Sequence, residues 1–300
     1  MCYLECFFFI IGLNALVSIS FRAFNILKSY LCTNDLSKYG KGSWALITGC
    51  TDGIGQGFTE TLAKEGFNII QVSRNSEKLA ATAKDLQEKY GIKVKNIAKD
   101  MSQCTKDPIA FFNDIHFQTK DLDVSFLINN IGTTTETTKT NLGDVHLSKI
   151  INVLALNVFP IIFLTKIYLP EMSKRAQGAG IINLSSVMSE FMYRFNILYC
   201  ATKSFDRDFT KILQVEVDRK SKLDILCLQP GYVATPMIEK YKVKLLLINR
   251  YQCAEAALRC LGNVKSTNGH PKHLLMGLFM YVISPIFAQT TKKLGQRKQD

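Results

Sequence analysis

The sequence predicts an α/β fold built on a single doubly wound parallel sheet. Three observations predict it. Short apolar runs alternate with helical segments over most of the chain, a glycine-rich turn joins the first run to the first helix, and no internal repeat or low-complexity linker divides the region. Parallel strands need a crossover to return the chain to the same end of the sheet, and alternating strand and helix supplies it. Three hundred residues suit one such domain with appendages.

The strands come in order. Trp44-Ala45-Leu46-Ile47-Thr48 is the first, Phe67 to Ser73 the second, and Val124 to Asn129 a later one. Gly180 to Ser185 and Leu223 to Gln229 follow. Such mainly apolar runs suit strands covered on both faces. The expected organisation is an N-terminal membrane anchor over 1–35, a catalytic domain over 42–265, and a membrane-associated segment with a basic tail over 266–300.

Phe7 to Phe21, FFFIIGLNALVSISF, is almost uninterrupted apolar sequence. Cys2 to Leu4 and Ala23 to Leu27 extend it past Glu5 and Arg22 toward the length of a membrane span, about 20 residues. A secretory signal would carry a basic start, whereas the only early charge here is Glu5. Arg22, Lys28, Lys38 and Lys41 all follow the run, which places the rest of the chain on the cytosolic side. A buried or peripheral helix is the alternative. The second apolar stretch, Leu274 to Ala288, is interrupted by Gly277 and Pro285 and suits a surface or re-entrant helix better than a crossing. The basic tail ends near Arg297-Lys298, a pair similar to the dibasic retrieval signals of endoplasmic-reticulum membrane proteins.

The formal charge is +12, but Lys and Arg are scattered and not gathered with aromatic residues on one face, so a nucleic-acid partner is not expected. Phosphorylated cofactors, acyl-CoA substrates or an anionic membrane leaflet account for the charge equally well. Nine cysteines form no C-x-x-C pair, and His116, His146, His270 and His273 form no ligand cluster, so neither a disulfide framework nor a metal site is expected.

Chemistry begins where the first strand runs into Thr48-Gly49-Cys50-Thr51-Asp52-Gly53-Ile54-Gly55, followed by the helical run Gln56 to Glu65. Glycines allow a tight turn and let backbone N–H groups approach a pyrophosphate at the helix N-terminus. A strand before the loop and a helix after it are the context of a Rossmann-type dinucleotide site. At the end of the second strand the sequence reads Gln71-Val72-Ser73-Arg74-Asn75. NAD sites place an acid there for the ribose 2′-hydroxyl, and a basic residue accommodates the 2′-phosphate, so Arg74 points to NADPH.

Tyr199-Cys200-Ala201-Thr202-Lys203 puts a phenol and an ammonium about one turn apart on one helix face. A free tyrosine has a pKa of about 10 and is a poor acid or base at neutral pH. A neighbouring ammonium favours the phenolate and brings the group toward its working range. Ser186 closes the strand-like run Ile181 to Ser186, and its hydroxyl could hold a substrate carbonyl and stabilise a developing alkoxide. Ser185 is the competing serine.

The spacing T-G-x-x-x-G-x-G, followed by Ser186 and Y-x-x-x-K, resembles the short-chain dehydrogenase/reductase family. The resemblance covers roughly Gly42 to Gly277 with the motifs in the family's order. It implies catalytic roles for Ser186, Tyr199, Lys203 and Asn157, with Asn157 holding a water in the proton relay; Asn152 competes for that position. It implies cofactor contacts for Thr48, Gly49, Asp52, Gly53, Ile54, Gly55, Arg74, Tyr199 and Lys203. Asp100 resembles the family acid near the adenine, and Asn129-Asn130-Ile131-Gly132 resembles the N-N-A-G element beside the adenosine. Pro230-Gly231-Tyr232-Val233-Ala234-Thr235 resembles the loop at the nicotinamide, where Val233 and Thr235 are expected.

The anchor, the T-D-G-I-G loop and Ser266-Thr267-Asn268-Gly269 followed by His273-Leu274-Leu275-Met276-Gly277 are similar to the membrane-bound 17-beta-hydroxysteroid dehydrogenase and very-long-chain 3-oxoacyl-CoA reductase group. That narrower resemblance implies NADPH-dependent reduction of 3-oxoacyl-CoA in fatty-acid elongation at the endoplasmic reticulum. Reduction of a ketosteroid is the alternative within the class. A non-catalytic NADP-binding scaffold is the alternative outside it, and the intact Ser, Tyr, Lys and glycine set argues against it. The family also implies a homodimer through the helices around Asn157 and Tyr199. Substrate choice is expected to lie in Thr133 to Asp144 and Met237 to Tyr251.

Overall fold

The computed structural model describes residues 3–134, 141–190, 196–217, 220–238 and 245–277. Its centre is a seven-stranded parallel sheet in the order β3-β2-β1-β4-β5-β6-β7. The chain enters through α1 (Tyr3–Leu31) and a short 3-10 turn (Leu36–Tyr39), then lays down β1 (Trp44–Thr48), α2 (Gly53–Lys64), β2 (Asn68–Ser73), α3 (Ser76–Tyr90) and β3 (Val94–Ala98). The second half adds α4 (Pro108–Phe117), β4 (Val124–Asn129), α5 (Leu147–Asn157), α6 (Phe159–Ser173) and β5 (Ala179–Leu184). It closes with α7 (Ile197–Glu216), β6 (Leu223–Leu228), α8 (Arg250–Cys260) and β7 (Ser266–Thr267). The doubly wound parallel sheet expected from the sequence is what forms.

Strand periodicity divides the apolar residues between two cores. Ala45, Ile47, Phe126, Ile128, Ile182 and Leu184 face one side with Phe58 and Leu62 of α2, Leu79 of α3 and Leu258 of α8. Leu46, Leu127 and Ile181 face the other side with Phe112 of α4, Leu164 and Tyr168 of α6 and Leu213 of α7. Gly180 belongs to the first of these cores, since a Cβ there would lie 2.6 Å from Leu261 Cδ2 and 3.0 Å from the Phe126 ring.

Two strands escaped the sequence reading. In β3 the run Val94-Lys95-Asn96-Ile97-Ala98 buries only Ile97 among its five residues, as an edge strand can. In β7 the pairs Cys227 with Ser266 and Leu228 with Thr267 extend the sheet. Gln229 also donates its backbone N–H to the Thr267 carbonyl oxygen at 2.8 Å, so Ser266 and Thr267 are part of the sheet. Residues 271–277 are helical, while the rest of the second apolar stretch and the basic tail with Arg297-Lys298 lie outside the described residues.

The helix α1 leaves Phe7, Phe8, Phe9, Ile10, Ile11, Leu13, Leu16, Val17 and Phe24 exposed. Its far end is tied to α8 and the turn beyond it. Cys260 Sγ donates to the Ser29 carbonyl oxygen at 3.0 Å, Asn34 Nδ2 to that of Leu258 at 2.9 Å, and Asn263 Nδ2 to that of Thr33 at 2.8 Å. Among the described residues, one helical run, Leu147–Ser173, meets the length and composition of a membrane span. That run contains α5 and α6, and its buried Leu164, Tyr168 and Met172 belong to the core against the sheet.

Candidate functional site

The order of the strands reverses between β1 and β4, and in open parallel sheets the crevice at that point is where ligands settle. Thr48 closes β1 at this crevice with its hydroxyl fully buried. Thr48 Oγ1 accepts from the backbone N–H groups of Asn130 and Ile131 at 3.0 and 3.1 Å and donates to the Ile128 carbonyl oxygen at 3.3 Å. Asn130 Nδ2 returns a bond to the Thr48 carbonyl oxygen at 2.9 Å. The ends of β1 and β4 are thereby locked together. The sequence alone assigns Asn130 no such role; its place directly after the end of β4 is the signal that points to one.

The loop from Gly49 depends on its glycines for geometry. Gly49 and Gly53 have φ of 63° and 56°, in the left-handed region that other residues rarely adopt. Gly55 has an ordinary backbone but no room, because a Cβ would stand 2.1 Å from the Gly49 carbonyl oxygen and 2.5 Å from Asn130 Nδ2. Ile54 packs at the edge of the core behind the loop. Asp52 sits at the N-cap of α2 without capping it, and its carboxylate pairs with Lys78 Nζ at 2.7 Å. The first turn of α2 therefore carries no acidic residue and no side-chain cap to compete for its N–H groups, which fits a phosphate there.

Arg74 lies exposed at the end of β2, next to Ser73, whose hydroxyl is 3.1 Å from that of Thr51 in the glycine loop. A basic side chain thus stands beside the loop, and Lys78 adds a second cation that sequence reading missed. Asp100 follows β3 and accepts from Ser102 N at 3.0 Å, capping a short 3-10 turn. Asn129 is buried, with Nδ2 donating to Thr165 Oγ1 at 3.1 Å and Asn183 Oδ1 at 2.8 Å. Its side chain ties β4 to β5 and α6.

The loop after β6 comes back over the glycine turn. A Cβ on Gly53 would meet Thr235 Cγ2 at 2.8 Å, so Thr235 and Gly53 border the same space. Val233 is buried and bridged to Ile248. Behind this loop His273, fully buried, has Nε2 2.9 Å from the Tyr232 carbonyl oxygen. A Cβ on Gly231 would lie 2.8 Å from His273 Cδ2 and 3.0 Å from Met276 Sδ. The H-x-L-M-G stretch is therefore the back wall of the loop, a role the sequence did not disclose.

The helix α7 brings the remaining candidates to the end of β5. Lys203 Nζ donates to the Leu184 carbonyl oxygen at 2.7 Å and to Asp206 Oδ2 at 2.8 Å, and Ser185 Oγ donates to the Lys203 carbonyl oxygen at 2.6 Å. These bonds fix α7 against β5. Tyr199, half-buried, precedes Lys203 by one turn, and Ser186 continues the chain just past β5. Of the two serines, Ser185 is committed to the helix backbone, whereas Ser186 Oγ accepts from Met188 N at 3.1 Å. The buried ammonium of Lys203 is held above its ordinary range: burial works against the charge, but Asp206 and Tyr199 favour it.

Asn157 ends α5, and the helix restarts at Phe159 with Pro160, which has no N–H to continue the ladder. Asn157 Nδ2 donates to the Thr133 carbonyl oxygen and to Thr202 Oγ1, both at 2.9 Å, and Oδ1 accepts from Thr133 N at 2.7 Å. Asn157 thus joins the loop after β4 to α7 beside the lysine. A Cβ on Gly132 would lie 3.3 Å from Asn157 Oδ1 and 3.4 Å from Lys203 Nζ, so the glycine keeps open the space between them. Residues 135–140 and 239–244, in the two segments expected to set substrate choice, lie outside the described residues.

Known proteins match this arrangement. The short chain dehydrogenase family model matches residues 43–245. A very-long-chain 3-oxoacyl-CoA reductase of Danio rerio is 34% identical over 259 residues, covering 85% of this chain and 78% of that protein. A very-long-chain 3-oxoacyl-CoA reductase of Caenorhabditis elegans is 31% identical over 309 residues, covering 98% of this chain and 95% of that protein. Among solved structures, a 7beta-hydroxysteroid dehydrogenase superposes with a TM-score of 0.70 at 23% identity, covering 81% of this chain and 93% of that one.

Proposed function

The chain belongs to the short-chain dehydrogenase family, and from that premise we propose that it uses NADPH to reduce a 3-oxoacyl-CoA to the 3-hydroxyacyl-CoA during fatty-acid elongation. The observation that carries the reading is the docking of Lys203 on the end of β5, the strand end after which Ser186 follows, on the helix that carries Tyr199 one turn earlier. The similarity to very-long-chain 3-oxoacyl-CoA reductases along nearly the whole chain supports the substrate class.

Thr48 to Gly55, the open first turn of α2, Thr235 and Lys203 would hold the dinucleotide, and Arg74 would meet its 2′-phosphate. When bound, the reduced nicotinamide supplies the hydride that a ketone carbon accepts. The Ser186 hydroxyl donates to the substrate carbonyl oxygen and holds the charge that develops there. Tyr199 delivers its phenolic proton to that oxygen. Lys203, as a fixed positive charge, makes the phenolate less costly, and the opening by Gly132 between Asn157 and Lys203 can admit the water that returns the proton.

The exposed apolar surface of α1 supports an N-terminal anchor. Its 29 residues span about 44 Å as a helix, more than a hydrocarbon core of about 30 Å requires. The cations that follow support a catalytic domain on the cytosolic face of the endoplasmic reticulum. Exposed Leu147, Ile151 and Leu154 on α5, with Ile197, Phe205 and Ile212 on α7, support pairing of two copies.

The test is NADPH oxidation by the full chain in detergent or liposomes, offered a long-chain 3-oxoacyl-CoA or a ketosteroid. Faster turnover of the acyl-CoA is expected. Turnover of the steroid alone would move the assignment to the ketosteroid reductase, and consumption of neither would end the reading.

A further inference from the structure

Among the described residues, one ion pair has both side chains almost closed to water. Lys203 and Asp206 stand three residues apart on α7, with Nζ 2.8 Å from Oδ2 and side chains 6% and 2% exposed. In every other recorded pair at least one partner reaches solvent. The second carboxylate oxygen, Asp206 Oδ1, has no hydrogen-bond partner. A buried pair left partly unsatisfied is a poor source of stability, because neutral residues of similar size avoid the cost of burying both charges.

The proposed reaction asks Lys203 for positive charge, toward Tyr199 and toward the dinucleotide, and a carboxylate at 2.8 Å cancels part of that charge as the phenol feels it. The lysine is also drawn against the Leu184 carbonyl oxygen at 2.7 Å. We propose that Asp206 is a positioning residue for Lys203, a buried counter-ion that keeps the lysine protonated, holds its ammonium against the end of β5 and sets how much positive field reaches Tyr199. The inference rests on the roles given above to Lys203 and Tyr199.

The surroundings supply no substitute for Asp206. The titratable groups that face Lys203 are Tyr199 and Asp206 on its own helix and Cys227 on β6. Burial pushes the Cys227 thiol up to about 12, so it stays neutral at working pH. The β5 end and α5 contribute Ser185, Ser186 and Asn157, which carry no charge. Burial works against the charge on Lys203, and Asp206 leads the influences that oppose it.

The experiment compares pH profiles of kcat for ketone reduction by the full chain, Asp206→Asn and Asp206→Glu. With Asn, the alkaline limb is expected to fall about one pH unit earlier, as for the loss of an opposite charge within contact distance. Glu should restore the limb toward that of the natural chain. An Asn profile that is lower at every pH but has an unmoved limb would mean a structural role only and would overturn the proposal.

The pH dependence of NADPH binding, followed by nucleotide fluorescence, reads the same lysine proton without turnover. Absent turnover in the natural chain would therefore count against the proposed function and leave this measurement decisive for Asp206. If Asp206→Asn does not fold, Asp206→Leu is compared with Asp206→Leu/Lys203→Met. Recovery of folding only in the double variant is expected, and no recovery would overturn the pairing.

Discussion

Thr48 and Asn130 are bonded to each other twice. The Asn130 backbone N–H donates to Thr48 Oγ1 at 3.0 Å, and Asn130 Nδ2 donates to the Thr48 carbonyl oxygen at 2.9 Å. The pair spans the crevice where the strand order reverses, so the glycine loop inherits its position from this lock. Thr48→Val keeps the shape and removes the acceptor for two backbone N–H groups. A loss of about 2–3 kcal/mol is expected at unsatisfied donors of this kind, read from urea unfolding. NADPH binding should weaken with it, and Thr48→Ser should recover most of both; unchanged stability in the valine variant would show that the hydroxyl does not lock the loop.

Tyr199 is separable from the structure around it. The bonds that hold α7 on β5 run through Lys203 and Ser185, and none of them uses the phenol. Tyr199→Phe is therefore expected to fold and bind NADPH while turnover drops by about 10²–10⁴-fold, the range of a lost general acid. Retained reductase activity would remove Tyr199 from the chemistry.

The sheet was legible where strands are covered on both faces. The mainly apolar runs of β1, β2, β4, β5 and β6, buried along almost their whole length, announced themselves, whereas β3 buries only Ile97 at the sheet edge and β7 is two residues long. Ser186, Tyr199 and Lys203 stand out as candidates in the sequence because their spacing is local and their residue types are reactive. Asp206 does not, since an aspartate one turn after a lysine is ordinarily a solvated helix pair and only the fold reveals its burial. His273 was hidden for another reason: its partner Tyr232 is 41 residues away in sequence.

Arg74 offers a test of cofactor choice that leaves the fold alone, because the side chain is exposed at the end of β2. Arg74→Asp exchanges the cation that suits a 2′-phosphate for the acid that suits a 2′-hydroxyl. The ratio of kcat/KM for NADPH over NADH is expected to fall by tenfold or more, about 1.4 kcal/mol for the tenfold step. An intermediate fall would assign part of the phosphate contact to Lys78, whose ammonium stands 2.7 Å from Asp52 beside the loop. Arg74→Asp/Lys78→Ala would then complete it. An unchanged ratio in the double variant would place 2′-phosphate recognition elsewhere.

His273 should make the site sensitive to mild acid. Burial beneath the Pro230–Thr235 loop lowers its pKa from 6.5, while its bond to the Tyr232 carbonyl oxygen only partly opposes the shift. The unfolded chain then binds a proton that the folded chain refuses, so this contribution is complete above pH 6.5 and is lost as pH falls toward the lowered folded value. His270, also lowered by burial, titrates in the same direction. Urea midpoints measured between pH 7.5 and 5.5 are expected to decline in the natural chain. His273→Gln, which can still donate to Tyr232 and cannot titrate, should flatten much of that decline, and the residual slope should go with His270→Gln. An equally steep decline in His273→Gln would mean that the buried histidine is not what senses the acid, and the loop would lose its pH-sensitive wall.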